Sequence, residues 1–91
     1  MDFEWDQVKS DWTRVARGFD FAFAIRIFAG PVAITQDLRR NYGETRFRAL
    51  GEVDGLVLAI VFTDRHAARR IISARRANRR ERLVWQSFAK V

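Results

Sequence analysis

The order of apolar and polar positions changes period along the chain, and each change marks an element. Asp2-Phe3-Glu4-Trp5 alternates like a short strand, and Asp6 follows as an N-cap whose carboxylate accepts from amides left free at a helix start. Val8, Trp12, Val15 and Ala16 recur at helical spacing, predicting a first helix with one core-facing apolar stripe that stops at Gly18. Asp20 caps a second helix with Phe21, Ala24, Ile25 and Phe28 on its buried side. It ends at Gly30-Pro31, because proline disfavours helix in the residue before it.

From Val32 the period shortens. Val32 to Thr35 is a short strand, and the polar stretch Gln36 to Gly43 is a surface loop. Arg46 to Val53 and Leu56 to Thr63 flank Asp54-Gly55, the two-residue turn whose dihedral preferences match the twist of a hairpin. With Val53 opposite Leu56, a core face forms from Phe47, Ala49, Val53, Leu56, Ile60 and Phe62, while Arg46 and Arg48 fall on the other face. Ala68 to Ala74 is the next antiparallel strand. A two-residue connection puts Arg70 beside Arg46 and Arg48, whereas a one-residue slip substitutes Arg69.

The last element starts near Asn78. Asn78-Arg79-Arg80-Glu81 has capping-box spacing, and Val84, Trp85, Phe88 and Val91 make the apolar stripe of a closing helix. A short strand, two helices, an antiparallel sheet and a carboxy-terminal helix define an α+β domain with the helices against one sheet face.

Composition bounds this picture. The 91 residues suit one domain, 1–91, and 48% apolar with 13% aromatic content is too hydrophobic for a disordered basic tail. With no cysteine and a single histidine there is no thiolate or convincing zinc site, no paired carboxylate spacing for a metal and no phosphate-cradling glycine motif, so no cofactor is expected. The longest apolar run, Leu56 to Phe62, is far short of the roughly 18 residues a membrane span needs, and the acidic amino terminus is unlike a signal peptide. A soluble protein with no membrane partner is expected.

Charge is the sharper clue. Residues 64–91 hold nine Lys or Arg against Asp64 and Glu81, a net of +7, whereas residues 1–63 carry a net of −1. Such asymmetry points to a phosphate-rich or acidic partner. Arg46, Arg48, Arg65, Arg70, Arg75, Arg79 and Arg80 can line a groove between the sheet and the final helix start, since guanidinium groups bind phosphate bidentately. Any single arginine reads more simply as a solvated or ion-paired surface group; the cluster carries the signal.

Metal-free RNA cleavage needs a base for the ribose 2′-hydroxyl, charge on the phosphorane stabilised, and a proton for the leaving oxygen. Arginines supply the second, and Glu81 or Glu44 is a candidate base, although Glu81 is equally the capping-box partner. His66 reads as an exposed turn residue. Trp12 and Trp85 read as core; Trp5 is open between core packing and base stacking.

Phe3-Glu4-Trp5-Asp6 with Lys9, then Thr63-Asp64-Arg65, then Arg70-Ile71-Ile72-Ser73-Ala74-Arg75 through Glu81 resemble the BrnT toxins of bacterial type II toxin-antitoxin systems over nearly the whole chain. The resemblance implies a RelE-like fold, a cytoplasmic endoribonuclease that inhibits growth, and neutralisation by a BrnA-type ribbon-helix-helix antitoxin that carries DNA binding, so that the toxin meets DNA only indirectly. It assigns catalysis to Arg65, Arg75, Arg79, Arg80 and Glu81; Arg46, Arg48 and Arg70 are the RNA-binding expectation from the strand pattern. A homo-oligomer and a toxin-antitoxin hetero-oligomer both stay open. The chain departs from the family at Ala16-Arg17-Gly18, where Lys-His-Gly is usual, and at Phe62, often Tyr. These departures keep two alternatives in view, a non-catalytic nucleic-acid-binding module and an attenuated toxin that only binds its antitoxin.

Overall fold

The computed structural model describes residues 1–89; Val91, expected on the last apolar stripe, lies outside the described residues. The elements are β1 (Asp2–Trp5), α1 (Gln7–Arg17), α2 (Phe21–Ala24) running into a 3₁₀ segment (Ile25–Ala29), β2 (Ala33–Gln36), β3 (Phe47–Val53), β4 (Leu56–Arg65), β5 (Ala68–Arg76) and α3 (Arg79–Ala89). They form one five-stranded sheet of order β1-β5-β4-β3-β2. The α+β class and element order are as expected. The sheet is mixed, however, because β1 returns through the helices to lie parallel to β5, while the other pairs are antiparallel.

The predicted punctuation holds. Asp6 accepts from the Val8 amide and Asp20 from the Phe23 amide, both at 2.9 Å, and Gly18 ends α1 at a φ of 85° that favours glycine. The β3–β4 turn carries Asp54 at φ 49° and Gly55 at φ 78°, and Val53 pairs with Leu56 as expected. Arg26 forks onto Asp54 with two 3.1 Å bonds, tying the 3₁₀ segment to the hairpin tip.

The helical stripes correct the expectation. In α1 the buried residues are Ser10 and Thr13, whereas Val8, Trp12 and Val15 face outward at 76%, 58% and 84% exposure. The cause is local: the Ser10 hydroxyl accepts from the Phe21 amide at 3.0 Å, and Thr13 Oγ1 donates back to the Lys9 carbonyl at 2.8 Å. The small polar side of α1 thus packs on the second helix and β5, while the aromatic residues of the second helix fill the core. That helix also tightens to 3₁₀, whose period of about three residues puts Phe21, Ala24 and Ile27 in one row and leaves Ile25 half-buried. The row packs closely on β3, where a Cβ on Gly51 would stand 2.8 Å from Ile27 Cβ.

Helices cover both sheet faces, not one. On the first face Ala49, Leu58, Ile60, Phe62, Ile71 and Ala74 pack beneath Phe19, Phe21, Ala24 and Ile27. On the second, Leu50, Ala59 and Ala77 pack with Trp85 of α3, whose indole donates to Glu52 at 3.2 Å. Val84 and Phe88 turn outward, so α3 rests on its Glu81–Trp85 side.

A β-bulge in β5 decides which side chains reach that second face. Val61 pairs with Ser73 but Phe62 with Ile71, leaving Ile72 as the extra residue. Strict alternation from the core residue Ile71 would turn Arg75 inward. The bulge instead buries Ala74 in the core and delivers Arg75 to the face under α3.

Candidate functional site

The second sheet face beside the start of α3 gathers most of the arginines singled out in the sequence. Arg48 stands in register with Val61, and Arg46 lies two residues earlier on the same face. Arg70 pairs with Thr63, so the two-residue connection His66-Ala67 gives the expected register and Arg70, not Arg69, joins this face. Arg69 lies on the core side over the rings of Phe62 and Phe28, at 4.1 and 5.0 Å, with Asp64 as its partner.

Glu81 is the hub. Its Oε1 accepts from Arg75 Nη1 at 2.7 Å and from the Asn78 amide at 2.9 Å; its Oε2 accepts from Arg75 Nη2 at 2.9 Å and has Arg48 Nη1 at 3.5 Å. Asn78 Oδ1 accepts in return from the Glu81 amide at 2.8 Å, completing the capping box. Only 8% of the Glu81 side chain is exposed. Hydrogen bonding to Arg75 outweighs burial and holds its carboxyl below the usual glutamate range. The same group therefore caps the helix, fixes the plane of the Arg75 guanidinium and serves as the longer-range countercharge of Arg48. Arg48 Nε is buried with no hydrogen-bond partner among the described residues, a spare donor within the cluster.

A second knot lies at the strand end. Glu44 joins Arg46 at 3.1 Å and Arg65 at 2.9 Å, which together lower its pKa, with the Arg65 hydrogen bond the leading cause. Thr63 Oγ1 donates to the Thr45 carbonyl at 2.7 Å, fixing the loop above Arg70. Five arginines, 46, 48, 65, 70 and 75, thus share one face with two glutamates, 44 and 81. Arg79 and Arg80 extend the positive surface over the exposed first turn of α3 and have no ion pair among the described residues. His66 sits apart at the hairpin tip with a φ of 52°.

Three residues next to the face were not singled out from sequence. Asp37 is fully buried at its side chain and takes a fork from Arg39 at 2.9 and 2.8 Å, with the Tyr42 hydroxyl at 3.4 Å. That fork holds the Asp37 carboxyl far below its ordinary value and the Arg39 guanidinium above its own. The loop lies at the surface as expected, and the signal was present as an Asp and a Tyr inside it, but nothing local says that Asp37 alone turns inward.

The departures from the family pattern fall elsewhere. Ala16 is exposed on α1. Arg17 donates to the Ala74 carbonyl at 2.7 Å, on the stretch of β5 beyond its pairing with β1, and its guanidinium lies over Trp12 at 5.1 Å. Phe62 is 1% exposed on the core face, stacked on Phe47 and edge-on to Phe28. Among the described residues no group of three or more His, Cys, Asp or Glu stands ready for a metal ion, and no helix is long and apolar enough to cross a membrane.

A family model described as the ribonuclease toxin BrnT of type II toxin-antitoxin systems matches residues 5–81, which include the arginine face and its Glu81 hub. No curated protein matches the chain. The chain belongs to the BrnT ribonuclease toxin family. Membership implies an RNA substrate and an antitoxin partner.

Proposed function

We propose that this BrnT-family chain is a metal-independent endoribonuclease whose RNA lies across the arginine face, and that a BrnA-type ribbon-helix-helix antitoxin neutralises it in the cytoplasm. The observation that carries the reading is the Arg75–Glu81–Arg48 cluster, because one guanidinium held bidentately by a buried carboxylate, with a second beside it at 3.5 Å, presents a preorganised positive surface to a phosphate. In internal transesterification the ribose 2′-hydroxyl gives its proton to water and its oxygen bonds to the adjacent phosphorus, negative charge grows on the non-bridging oxygens, and the bond to the 5′-oxygen breaks as that oxygen takes a proton from water. Arg75 and Arg48 stabilise that charge, helped by Arg79 and Arg80 from the α3 start. Arg46, Arg65 and Arg70 hold the flanking phosphates. Glu81 acts as the positioning residue for Arg75, since a carboxylate already engaged by two arginines and an amide is a weak base.

That last point also favours a second reading. Glu44 and Glu81 are both held at arginines with lowered proton affinity, which fits a face that binds RNA or an acidic antitoxin without cutting. One experiment separates the two: purified protein incubated with RNA in EDTA, alongside Arg75→Ala, and binding titrated with salt. Cleavage that persists in EDTA and is lost in Arg75→Ala supports the nuclease. Intact RNA with steeply salt-dependent binding supports the binding module, and no affinity for RNA at all leaves only the antitoxin-docking role.

A further inference from the structure

The loop from Asp37 to Arg46 joins β2 to β3 without regular secondary structure, yet it is held in one shape. At ten residues, 37–46, it is longer than the usual connection of about 4–6. The buried Asp37 takes the Arg39 fork, the Arg39 amide at 3.2 Å and the Tyr42 hydroxyl, and its own amide donates to the Arg46 carbonyl at 2.8 Å. Asn41 Oδ1 accepts from the Gly43 amide at 2.9 Å, where Gly43 has a φ of 74°. The loop encloses an open cleft of about 510 Å³ with Gln36, Leu38, Arg40, Asn41 and Tyr42 among its walls. Arg46 belongs both to this cleft and to the arginine face, so the two are continuous.

Tyr42 is the distinctive wall. Its ring is half-buried, with the Arg46 guanidinium 4.1 Å from the ring centroid and Arg40 5.2 Å away. Arg46 is fixed by Glu44; Arg40 is exposed and has no ion pair among the described residues, so it can yield its place or cover an incoming ring. Proteins that hold single-stranded RNA combine cationic tracks for phosphates with aromatic rings and guanidinium planes on which splayed bases stack. The cleft has those parts in that order, with the amides of Gln36 and Asn41 at its rim to meet a base edge.

We propose that Tyr42 is the floor of a nucleobase-stacking subsite, which takes one unpaired base of single-stranded RNA while the adjacent arginine face holds its phosphates. This rests on the RNA-binding reading above and deepens it, since it gives the face a preference for base-bearing strands over other polyanions.

The test compares two fluorescent probes of equal length and charge: a 2′-O-methyl oligoribonucleotide, which lacks the attacking hydroxyl, and an abasic phosphodiester oligomer. Wild-type protein is expected to bind the base-bearing probe about tenfold more tightly. Tyr42→Ala is expected to abolish that preference while keeping wild-type affinity for the abasic probe, which also reports an intact fold; Tyr42→Phe, which keeps the ring and loses the Asp37 contact, is expected to retain it. A preference that survives Tyr42→Ala overturns the subsite. So does a loss in Tyr42→Phe as large as in Tyr42→Ala, which would place the effect in loop order and not stacking. Wild-type binding of both probes with equal affinity overturns the subsite and leaves the RNA-binding face standing, whereas failure to bind either probe overturns both.

Discussion

Arg75 and Glu81, six residues apart, face each other across the junction of β5 and α3 through two side-by-side hydrogen bonds of 2.7 and 2.9 Å. The pair joins the end of the sheet to the first turn of the helix, so it links stability to the proposed phosphate site. Neutralising the Glu81 carboxylate leaves Arg75 and Arg48 facing each other with less countercharge, while a glutamine oxygen at that place can still accept from the Asn78 amide.

Glu81→Gln is therefore expected to cost about 2 kcal/mol at neutral pH, the scale of a hydrogen bond to a charged group. Arg75 holds the folded-state pKa below the ordinary value of 4.5, so the folded protein binds that proton less readily than the unfolded chain. The stabilisation is complete above about pH 4.5 and is lost as pH falls through the folded value. Denaturant unfolding of wild type and Glu81→Gln over that range checks this: the two curves of stability against pH should converge on the acid side, and a constant gap would contradict the assignment.

Arg75→Ala and Arg70→Ala are expected to separate chemistry from binding. Each removes one cationic contact, lowering the slope of log affinity against log salt by about 0.7 for a single strand. Arg75→Ala should in addition slow single-turnover cleavage by about a hundredfold, the scale of losing one donor to developing charge, whereas Arg70→Ala should leave that rate near wild type at saturating protein. Equal losses in both variants would mean that the face acts only as an electrostatic track.

The two sides of α1 give a sharp test of the packing. Ser10→Ala leaves the buried Phe21 amide without its acceptor and is expected to cost about 1–3 kcal/mol. Val15→Lys, on the 84% exposed side, is expected to stay within about 0.5 kcal/mol of wild type. Thermal unfolding of the two variants measures both, and the opposite ranking would restore the apolar stripe as the core face.

The contrast between α1 and the hairpin explains what was legible in the sequence. Turn and cap chemistry is local, so Asp6, Gly18, Asp20, Asp54-Gly55 and the Asn78–Glu81 box were readable from a few residues each. Strand faces followed once the hairpin fixed parity. Helix faces did not, because with so many aromatic residues in the chain the choice of which stripe to bury is settled by competition for one small core, and Phe19, Phe21 and Ile27 displaced Trp12 from it. The bulge at Ile72 was likewise invisible: alternation alone would have separated Arg75 from Arg48 and Arg70, and only the shift in pairing brings them to one face. Arg39 and Tyr42 were missed because their importance comes from a buried Asp37 that no local pattern announces.

Phe62→Tyr tests whether the departure from the family pattern weakens the toxin. The ring lies on the core face, 1% exposed, stacked at 5.5 Å on Phe47, edge-on to Phe28 and beneath Arg69. The arginine face is on the other side of the same strand, where Thr63 and Val61 point. A hydroxyl added to Phe62 is therefore expected to leave the rate of RNA cleavage within about twofold of wild type. If it finds no partner among those rings, it should lower stability by about 1–3 kcal/mol through desolvation. Cleavage assays and unfolding curves on the single variant read the two effects separately. A rise in cleavage of about tenfold or more, with stability unchanged, would show that chemistry depends on the core face near Arg69 and would move the active centre away from the Arg75–Glu81 junction.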